Sequence, residues 1–292
     1  MKILIDGANG MLGRTIVKRF RAEDDFEIVP AQRADADITS PEEVEALVAE
    51  HEPDVYLHLA AMTQVDKCET ERDLAFAVNA VGTRNVAAAC RRHHVRLISI
   101  STDYVFDGEA ERPYTEFDRA GGAKSVYGSS KYAGEVAVAE ECPNHVIARV
   151  SWLYGSGGPS FVHTIRKLAD GTRPELKVVN DQVGNPTSAA AVTEELIHII
   201  RRPLITGTIH LTCEGDVSWY EFARRIIEFS CISQKIVPCT TDEFPRPARR
   251  PKNSRLDKQM IRLLGLPKMP SWEDSLRKFL RDEWPDNEMS QP

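Results

Sequence analysis

The strongest constraint on this chain is the regular alternation of short apolar runs with amphipathic stretches through its first 150 residues. The apolar runs predict strands over residues 2–6, 26–30, 54–61, 96–101 and 145–150. The stretches between them predict helices over residues 11–21, 41–50, 74–90 and 126–139, with Ser40 as the N-cap of the second. Strands that alternate with helices of this length form a parallel sheet covered on both faces. We therefore predict an α/β fold with a doubly wound parallel sheet.

The alternation breaks down after residue 151. Residues 155–159 (GSGGP) predict a loop, residues 178–187 a strand followed by a turn, and residues 246–254 a basic loop broken by prolines. Helices are predicted over 194–201 and 219–229, and a short strand over 207–211. We expect this half to form a smaller α/β cap at the carboxyl ends of the strands, where ligands of open α/β sheets bind.

Composition excludes several classes of protein. The net charge of −7 and the pI near 5.7 argue against a surface for nucleic acid or anionic membranes. No apolar run reaches the roughly 18 residues of a membrane span, and the N-terminus has no export pattern. The six cysteines contain no CxxC pair, which predicts reduced thiols, a cytoplasmic location and no metal site.

A glycine-rich turn follows the first predicted strand and opens a helix. Gly7, Gly10 and Gly13 are spaced as GxxGxxG, and a backbone without Cβ atoms can approach a pyrophosphate at a helix N-terminus. The same glycines would also suit a plain strand-to-helix turn. Their place after the first strand of an alternating chain favours a dinucleotide site.

The end of the second strand bears on which dinucleotide binds. A carboxylate there would bind the ribose of NAD and repel the 2′-phosphate of NADP. This segment has Gln32 and Arg33, with no acid before Asp35. Arg33 could be a solvated surface charge, but the missing carboxylate favours NADPH, with NADH still possible.

A second motif, YxxxK, lies within the predicted helix over 126–139. Tyr127 and Lys131 are four residues apart, so the phenol and the ammonium can face one pocket, and the cation is expected to lower the pKa of the phenol. Thr102 follows the fourth strand, where a hydroxyl can meet a ligand. The order GxxGxxG, strand-end threonine, YxxxK predicts a nicotinamide-dependent oxidoreductase.

With these motifs the chain resembles the extended short-chain dehydrogenase/reductase superfamily, and within it the dTDP-4-dehydrorhamnose reductase family. The resemblance covers nearly the whole chain. Its landmarks are GANGMLG (7–13), DIT (37–39), LAAMTQVDKCE (59–69), VNAVGTRN (78–85), STDYVFDG (101–108), YGSSK (127–131), RVSWLYG (149–155), NDQVGNPT (180–187) and RRPKNSRLD (249–257).

The resemblance implies a role for each matching residue. Tyr127 would donate the proton, Lys131 would lower its pKa and hold the nicotinamide ribose, and Thr102 would polarise the sugar carbonyl. The implied cofactor contacts are Met11 and Leu12 with the glycines of the turn, Asp37, Ile38, Ala60, Ala61, Met62 and Thr63. The implied substrate contacts are Val65, Thr102, Asp103, Trp152, Arg250 and Asn253.

The resemblance also implies a Rossmann-type domain organisation and a reaction. A dinucleotide-binding domain would span 1–152, rejoined by part of 186–210, and 153–292 would mainly bind substrate, with 286–292 a disordered tail. The reaction would be NADPH-dependent reduction of the C4 keto group of dTDP-4-dehydro-L-rhamnose to dTDP-L-rhamnose. Some members are magnesium-bridged dimers, but Thr15 and Ala190 stand at the carboxylate positions, so a monomer or weak homodimer is expected.

The residues argue against some alternative functions more strongly than against others. A sugar-nucleotide dehydratase needs an acid two residues after Thr102, where this chain has Tyr104. An epimerase shares the tyrosine and lysine but lacks the DQxGxPT and SWLYG pattern. A non-catalytic NADP-binding regulator, like the regulatory subunit of methionine adenosyltransferase, remains open, as does a reductase for another 4-ketosugar nucleotide.

Overall fold

The computed structural model describes residues 1–285. The predicted disordered tail, 286–292, lies outside the described residues. The strands are β1 (Lys2–Ile5), β2 (Glu27–Pro30), β3 (Val55–His58), β4 (Arg96–Thr102), β5 (His145–Val150), β6 (Leu153–Tyr154), β7 (Leu176–Val179), β8 (Val183–Gly184), β9 (Thr187–Ser188), β10 (Gly207–His210), β11 (Val217–Ser218) and β12 (Ile236–Cys239).

The α-helices surround these strands. They are α1 (Met11–Phe20), α2 (Pro41–His51), α3 (Val65–Thr70), α4 (Arg72–Phe76), α5 (Thr83–Arg92), α6 (Val126–Glu141), α7 (Phe161–Leu168), α8 (Ala189–Ile200), α9 (Trp219–Phe229), α10 (Gln259–Leu263) and α11 (Trp272–Glu283). A π-helical segment, Ala77–Gly82, joins α4 to α5, and a 3₁₀ turn, Asp103–Val105, follows β4.

Six strands form the main sheet in the order β10-β5-β4-β3-β1-β2, and every pair is parallel. The order reverses direction after β1, which pairs with both β2 and β3. This reversal opens a crevice at the carboxyl ends of the strands. The predicted doubly wound α/β fold is confirmed.

Local signals explain where the predicted helices begin. Ser40 accepts a hydrogen bond from the Glu43 amide at the start of α2, and Ser125 accepts one from the Gly128 amide at the start of α6. Such caps satisfy amides that have no partner inside the helix. The α6 cap fixes the first turn, which carries Tyr127.

The helix predicted over 74–90 differs from the structure in its middle. The chain there passes through the π-helical segment, in which Asn79 is fully buried. Its side-chain amide bonds the main chain of Met62 and the hydroxyl of Ser130, partners outside the segment. Hydrophobic periodicity carries no signal for such contacts, so the interruption, like the short helix α3, was not predicted.

The second half contributes to both parts of the molecule. Helix α8 packs on α1, and β10 adds the sixth strand to the main sheet beside β5. The remaining strands form three small pairs, β6 with β9, β7 with β12 and β8 with β11. Helices α10 and α11 were not predicted, and α8 begins at Ala189, five residues earlier than expected.

One large apolar core extends through both parts. It includes Ile3 on β1, Ile16 on α1, Leu196 on α8, Phe222 on α9 and Leu276 on α11. Among residues 1–285, every helix is too short or too polar to cross a bilayer. The six cysteines are free thiols.

Candidate active site

The glycine turn between β1 and α1 has the geometry of a phosphate cradle. Gly7 has φ +57°, and a Cβ there would lie 2.9 Å from the amide nitrogen of Ala60. A Cβ on Gly13 would lie 2.4 Å from the carbonyl oxygen of Gly7. The N-cap of α1, Gly10, has no side chain to occupy the first-turn amides. These amides are therefore available to an anion such as the diphosphate of a dinucleotide.

A cavity of about 920 Å³ runs from this turn along the carboxyl ends of the strands to the second half of the chain. Its size suits a large organic ligand. The predicted residues that line it are Gly7, Gly10, Met11, Leu12, Gly13, Gln32, Arg33, Asp37, Ile38, Ala60, Ala61, Met62, Thr63, Val65, Thr102, Asp103, Tyr127, Lys131 and Trp152. The structure thus brings together the predicted cofactor and catalytic positions, and their individual roles stay predictions.

Tyr127 and Thr102 both line the cavity, and the Thr102 hydroxyl lies close enough to the phenol to oppose the rise in its pKa. The Thr102 hydroxyl donates to Oδ1 of Asp103 over 2.9 Å and accepts from the amide of Tyr104 over 3.2 Å. Burial is the largest influence on the phenol and raises its pKa. The contribution of Lys131 to this pKa stays a prediction, because the net rise follows from burial. The phenol is therefore protonated at neutral pH.

Lys131 lies one helical turn after Tyr127 and is also buried. Its Nζ donates to the carbonyl oxygen of Ile100, the β4 residue two before Thr102, over 2.7 Å. Burial lowers the pKa of the ammonium to about 8, against the attraction of Glu135 and Asp6. Because that ammonium has two further hydrogens, it can also hold a polar ligand group.

Asp103 is a buried carboxylate at the end of β4. Burial raises its pKa to about 6, although the hydroxyls of Thr102, Ser254 and Ser151 donate to it and oppose the rise. The carboxylate thus joins the predicted catalytic threonine to the second half of the chain.

Trp152 is held in an unusual conformation just beyond β5. Its φ is +46°, a left-handed value that costs free energy in a residue with a Cβ. Its indole nitrogen donates to Ser254 over 3.0 Å, and its ring stacks on Trp219 with centroids 3.4 Å apart. A Cβ on Gly184 would lie 2.4 Å from this ring. The ring is fixed at the boundary between the main sheet and the second half.

Comparison with known proteins places this geometry in a family. Residues 1–284 match the model of the family described as RmlD substrate binding domain. A protein named dTDP-4-dehydrorhamnose reductase from Sinorhizobium fredii is 40% identical over 291 residues, 96% of this chain and 97% of the relative. The chain belongs to the RmlD substrate binding domain family. The family predicted from the sequence motifs is thereby confirmed.

Two further relatives inform the chemistry of the family. A crystal structure of dTDP-4-dehydrorhamnose reductase from Bacillus anthracis, in complex with NADP, is 40% identical with a TM-score of 0.93, covering 96% of this chain and 99% of that one. A probable dTDP-4,6-dihydroxy-2-methyloxan-3-one 4-ketoreductase from Streptomyces antibioticus is 37% identical, covering 97% and 95%. The predicted oxidoreductase class and the predicted NADP cofactor agree with these relatives.

Two of the residues predicted to bind substrate, Asn253 and Arg250, do not line the cavity. Asn253 donates through Nδ2 to the carbonyl oxygens of Ala110 and Arg112, and its Oδ1 accepts from Arg255. Its amide is thus fully engaged within the loops. A substrate group would have to replace these partners to contact Asn253, and that contact stays a prediction.

Arg250 lies at the rim of the cavity. Its guanidinium pairs with Asp66 over 2.9 Å and lies 6.0 Å from the ring centroid of Tyr104, which does line the cavity. Arg250 therefore reaches the site through these two neighbours, and a substrate group would have to compete with Asp66 for it.

The residues predicted to select the cofactor lie on one wall. Gln32 and Arg33 follow β2, and Arg33 pairs with Asp37 over 2.8 Å while most of its side chain is exposed. The pKa of Asp37 is lowered, mainly by hydrogen bonds from the backbone and hydroxyl of Thr39 and less by Arg33. Arg33 is thus a cation beside the cavity that is already paired with one carboxylate.

Sequence reasoning missed several polar residues around the site, including Asp6, His58, Asn79, Ser254 and Trp219. Asp6 ends the first predicted strand, so its position offered a signal, whereas His58 lies inside the strand predicted over 54–61. Their partners are distant in sequence, however, and only the folded sheet brings them together.

Proposed function

We propose that the chain is an NADPH-dependent oxidoreductase that reduces the C4 keto group of dTDP-4-dehydro-L-rhamnose to dTDP-L-rhamnose. The observation that carries this proposal is the meeting of the glycine cradle, neighbouring Thr102 and Tyr127, and buried Lys131 in one cavity of an RmlD-family chain. This arrangement combines a site for a dinucleotide diphosphate with a proton donor beside a strand-end hydroxyl.

Bound NADPH would supply the hydride for the C4 carbon. The chain's own task is to manage the proton and the charge on the C4 oxygen. Tyr127 would donate its proton to that oxygen, and Thr102, on turning its hydroxyl hydrogen away from Asp103, would donate a second hydrogen bond as negative charge builds there. Stabilisation of this kind contributes a few kcal/mol in enzymes. Lys131 would stabilise the phenolate left behind and hold the nicotinamide ribose.

The residues around the cradle suit this cofactor. The first-turn amides of α1, which no side chain occupies, would bind the diphosphate, and residues 60–63 would line the ribose. Gln32 and Arg33 present no carboxylate to a 2′-phosphate, which supports NADPH as the preferred cofactor with NADH as a weaker substitute.

Product analysis tests the proposal directly. The purified protein is incubated with NADPH and dTDP-4-dehydro-L-rhamnose, and the sugar formed is identified along with the NADP⁺ released. We expect dTDP-L-rhamnose in amounts equal to NADPH consumed. NADPH binding without any turnover would contradict the proposal and favour a non-catalytic regulatory subunit. Binding of the protein to a synthetase partner would then support that alternative.

A second candidate is a reductase for another 4-ketosugar nucleotide. The 37% identical Streptomyces relative, named as a probable 4-ketoreductase for a different sugar, favours keeping it. The same assay with other 4-keto-6-deoxysugar nucleotides separates the two by kcat/KM. Inversion at C4 of a 4-hydroxysugar nucleotide, with no net use of NADPH, would indicate an epimerase instead.

The predicted cytoplasmic location and the monomer or weak homodimer remain predictions of this proposal. Sedimentation over a range of protein concentrations, with and without magnesium, measures the second of them.

A further inference from the structure

A buried ion pair lies beneath the cofactor wall of the cavity. Asp6, directly after β1, is almost fully buried, and its Oδ1 accepts hydrogen bonds from the amides of Leu59 (2.5 Å) and Ala60 (2.8 Å). Both residues belong to residues 59–63, which line the cavity after β3. We call residues 59–63 the cofactor loop. Asp6 therefore fixes the first half of the cofactor loop.

His58 is the side-chain partner of Asp6 in this position. Its Nδ1 lies 2.5 Å from Oδ2 of Asp6. Burial raises the pKa of Asp6, but attraction and hydrogen bonding to His58, with the two loop amides, outweigh it and leave the pKa below its usual value. A carboxylate can only accept, so Nδ1 is the donor.

The other ring nitrogen of His58 connects the pair to the helix that carries Asn79. His58 Nε2 lies 3.0 Å from the hydroxyl oxygen of Thr83, and that hydroxyl donates to the Asn79 carbonyl over 2.9 Å. His58 therefore links Asp6 to Thr83 through its two ring nitrogens.

Asn79 fixes the second half of the cofactor loop and also contacts α6, the helix that carries Tyr127 and Lys131. Its side chain accepts from the Met62 amide (2.8 Å) and donates to the Met62 carbonyl (3.1 Å). The same Nδ2 donates to Ser130 Oγ over 3.0 Å, and Ser130 donates to the carbonyl oxygen of Tyr127. The side-chain amide of Asn79 thus holds both the cofactor loop and the first turns of α6.

We propose that Asp6, His58 and Thr83 are positioning residues, which hold the cofactor loop at a fixed place relative to Tyr127 and Lys131. The inference rests on the proposed function, because the loop is taken to line the nicotinamide ribose. None of the three is proposed to contact the reacting atoms. Their effect is to join the two anchors of the loop, at Ala60 and at Met62, through buried and partly buried hydrogen bonds.

The test compares variants of the full chain by binary NADPH affinity, steady-state kinetics and thermal unfolding. Asp6→Ala and His58→Ala should each raise the Kd for NADPH about tenfold and lower kcat on the order of 10²-fold, the effect of misplacing reacting groups by about 1 Å. The KM for the sugar nucleotide should change far less, since its predicted contacts lie on other elements.

Two controls separate positioning from simple loss of stability. Asp6→Asn keeps an oxygen for both loop amides and can donate to a neutral His58, so it should restore Kd and kcat to within roughly threefold of wild type. Leu280→Ala, which opens a cavity in α11, should lower Tm without changing either constant. Thr83→Val keeps the shape of the side chain but removes the hydroxyl that bonds His58 Nε2. It can therefore be tested in place of Asp6→Ala or His58→Ala if either fails to fold.

The outcomes distinguish this inference from the function on which it rests. A wild-type protein that binds NADPH and reduces the substrate, with unchanged Kd and kcat in Asp6→Ala, His58→Ala or Thr83→Val, overturns the inference alone. A wild-type protein that binds no NADPH overturns the proposed function and the inference with it. A raised Kd that Asp6→Asn reverses supports the inference.

Discussion

At the residue scale, burial changes the two principal polar side chains of the site in opposite ways. It raises the pKa of the Tyr127 phenol and lowers that of the Lys131 ammonium to about 8, in each case favouring the neutral form. The sequence motif predicted the pairing of these side chains but not the direction for tyrosine, because spacing carries no information about desolvation. A protonated phenol suits a proton donor.

Tyr127→Phe should lower kcat by roughly 10²–10⁴-fold, the range for a positioned acid–base group, because it deletes the proton source and keeps the ring. NADPH affinity should survive, since the phenol is not its main anchor. Lys131→Ala should weaken both kcat and NADPH affinity. Stopped-flow hydride transfer and binary NADPH titration measure the two effects. Near-normal reduction by Tyr127→Phe would contradict the proposed chemistry.

Asp103→Asn should stabilise the protein at pH 7.5. The folded pKa of Asp103, about 6, lies above its ordinary value of 3.8, so the stability that this group contributes is present below pH 3.8 and lost as the pH rises through 6. The difference corresponds to about 3 kcal/mol, and the neighbouring hydroxyls can rotate to meet an amide. Calorimetry should show the variant's advantage at pH 7.5 shrinking towards pH 4. A less stable variant at pH 7.5 would contradict this account.

At the scale of elements, the ends of the strands determine what each part of the cavity offers. The β1 end presents the glycine cradle, the β2 end Gln32 and Arg33, and the β4 end Thr102. These positions could be predicted because each strand was short, apolar and followed by a break in the pattern. The internal partners of Asn253 could not be predicted, because a loop position says nothing about where a side chain points.

Gln32→Asp should shift cofactor preference towards NADH. The new carboxylate would repel a 2′-phosphate and accept a hydrogen bond from a 2′-hydroxyl. We expect the ratio of kcat/KM for NADPH to that for NADH to fall about tenfold or more. Gln32→Asn, which adds no charge, is the matched control. A wild-type protein that already prefers NADH would show that the β2 end does not select the cofactor.

Trp152→Ala should raise the KM for the sugar nucleotide about tenfold, the effect of losing a large aromatic contact, while leaving NADPH affinity unchanged. One face of this ring is covered by Trp219, so a deoxysugar can use only the rest of its surface. Gly184→Ala should act in the same direction, because a Cβ there would displace the ring. Equal losses of NADPH affinity, or unfolding, would make Trp152 a core residue instead.

At the scale of the whole molecule, the second half of the chain completes the first. Helix α8 buries Val192, Leu196 and Ile199, and β10 covers the edge of the main sheet at β5. The sequence suggested that part of 186–210 rejoins the first domain, but not which edge of the sheet it would extend. That choice depends on pairing between strands about 60 residues apart, which local patterns do not encode.

The continuity of the core predicts that the chain unfolds as one cooperative unit. Apolar residues of β1, α8, α9 and α11 belong to a single cluster, so neither half can lose its packing without exposing the other. Calorimetry of the full chain should show one transition, and saturating NADPH should move the whole of it to higher temperature. A fragment of residues 1–152 lacks α8 and β10 and would expose the faces of α1 and β5 that they cover, so we expect no cooperative unfolding from it. Two separate transitions in the full chain, of which NADPH moves only one, would instead show that the halves are independent domains.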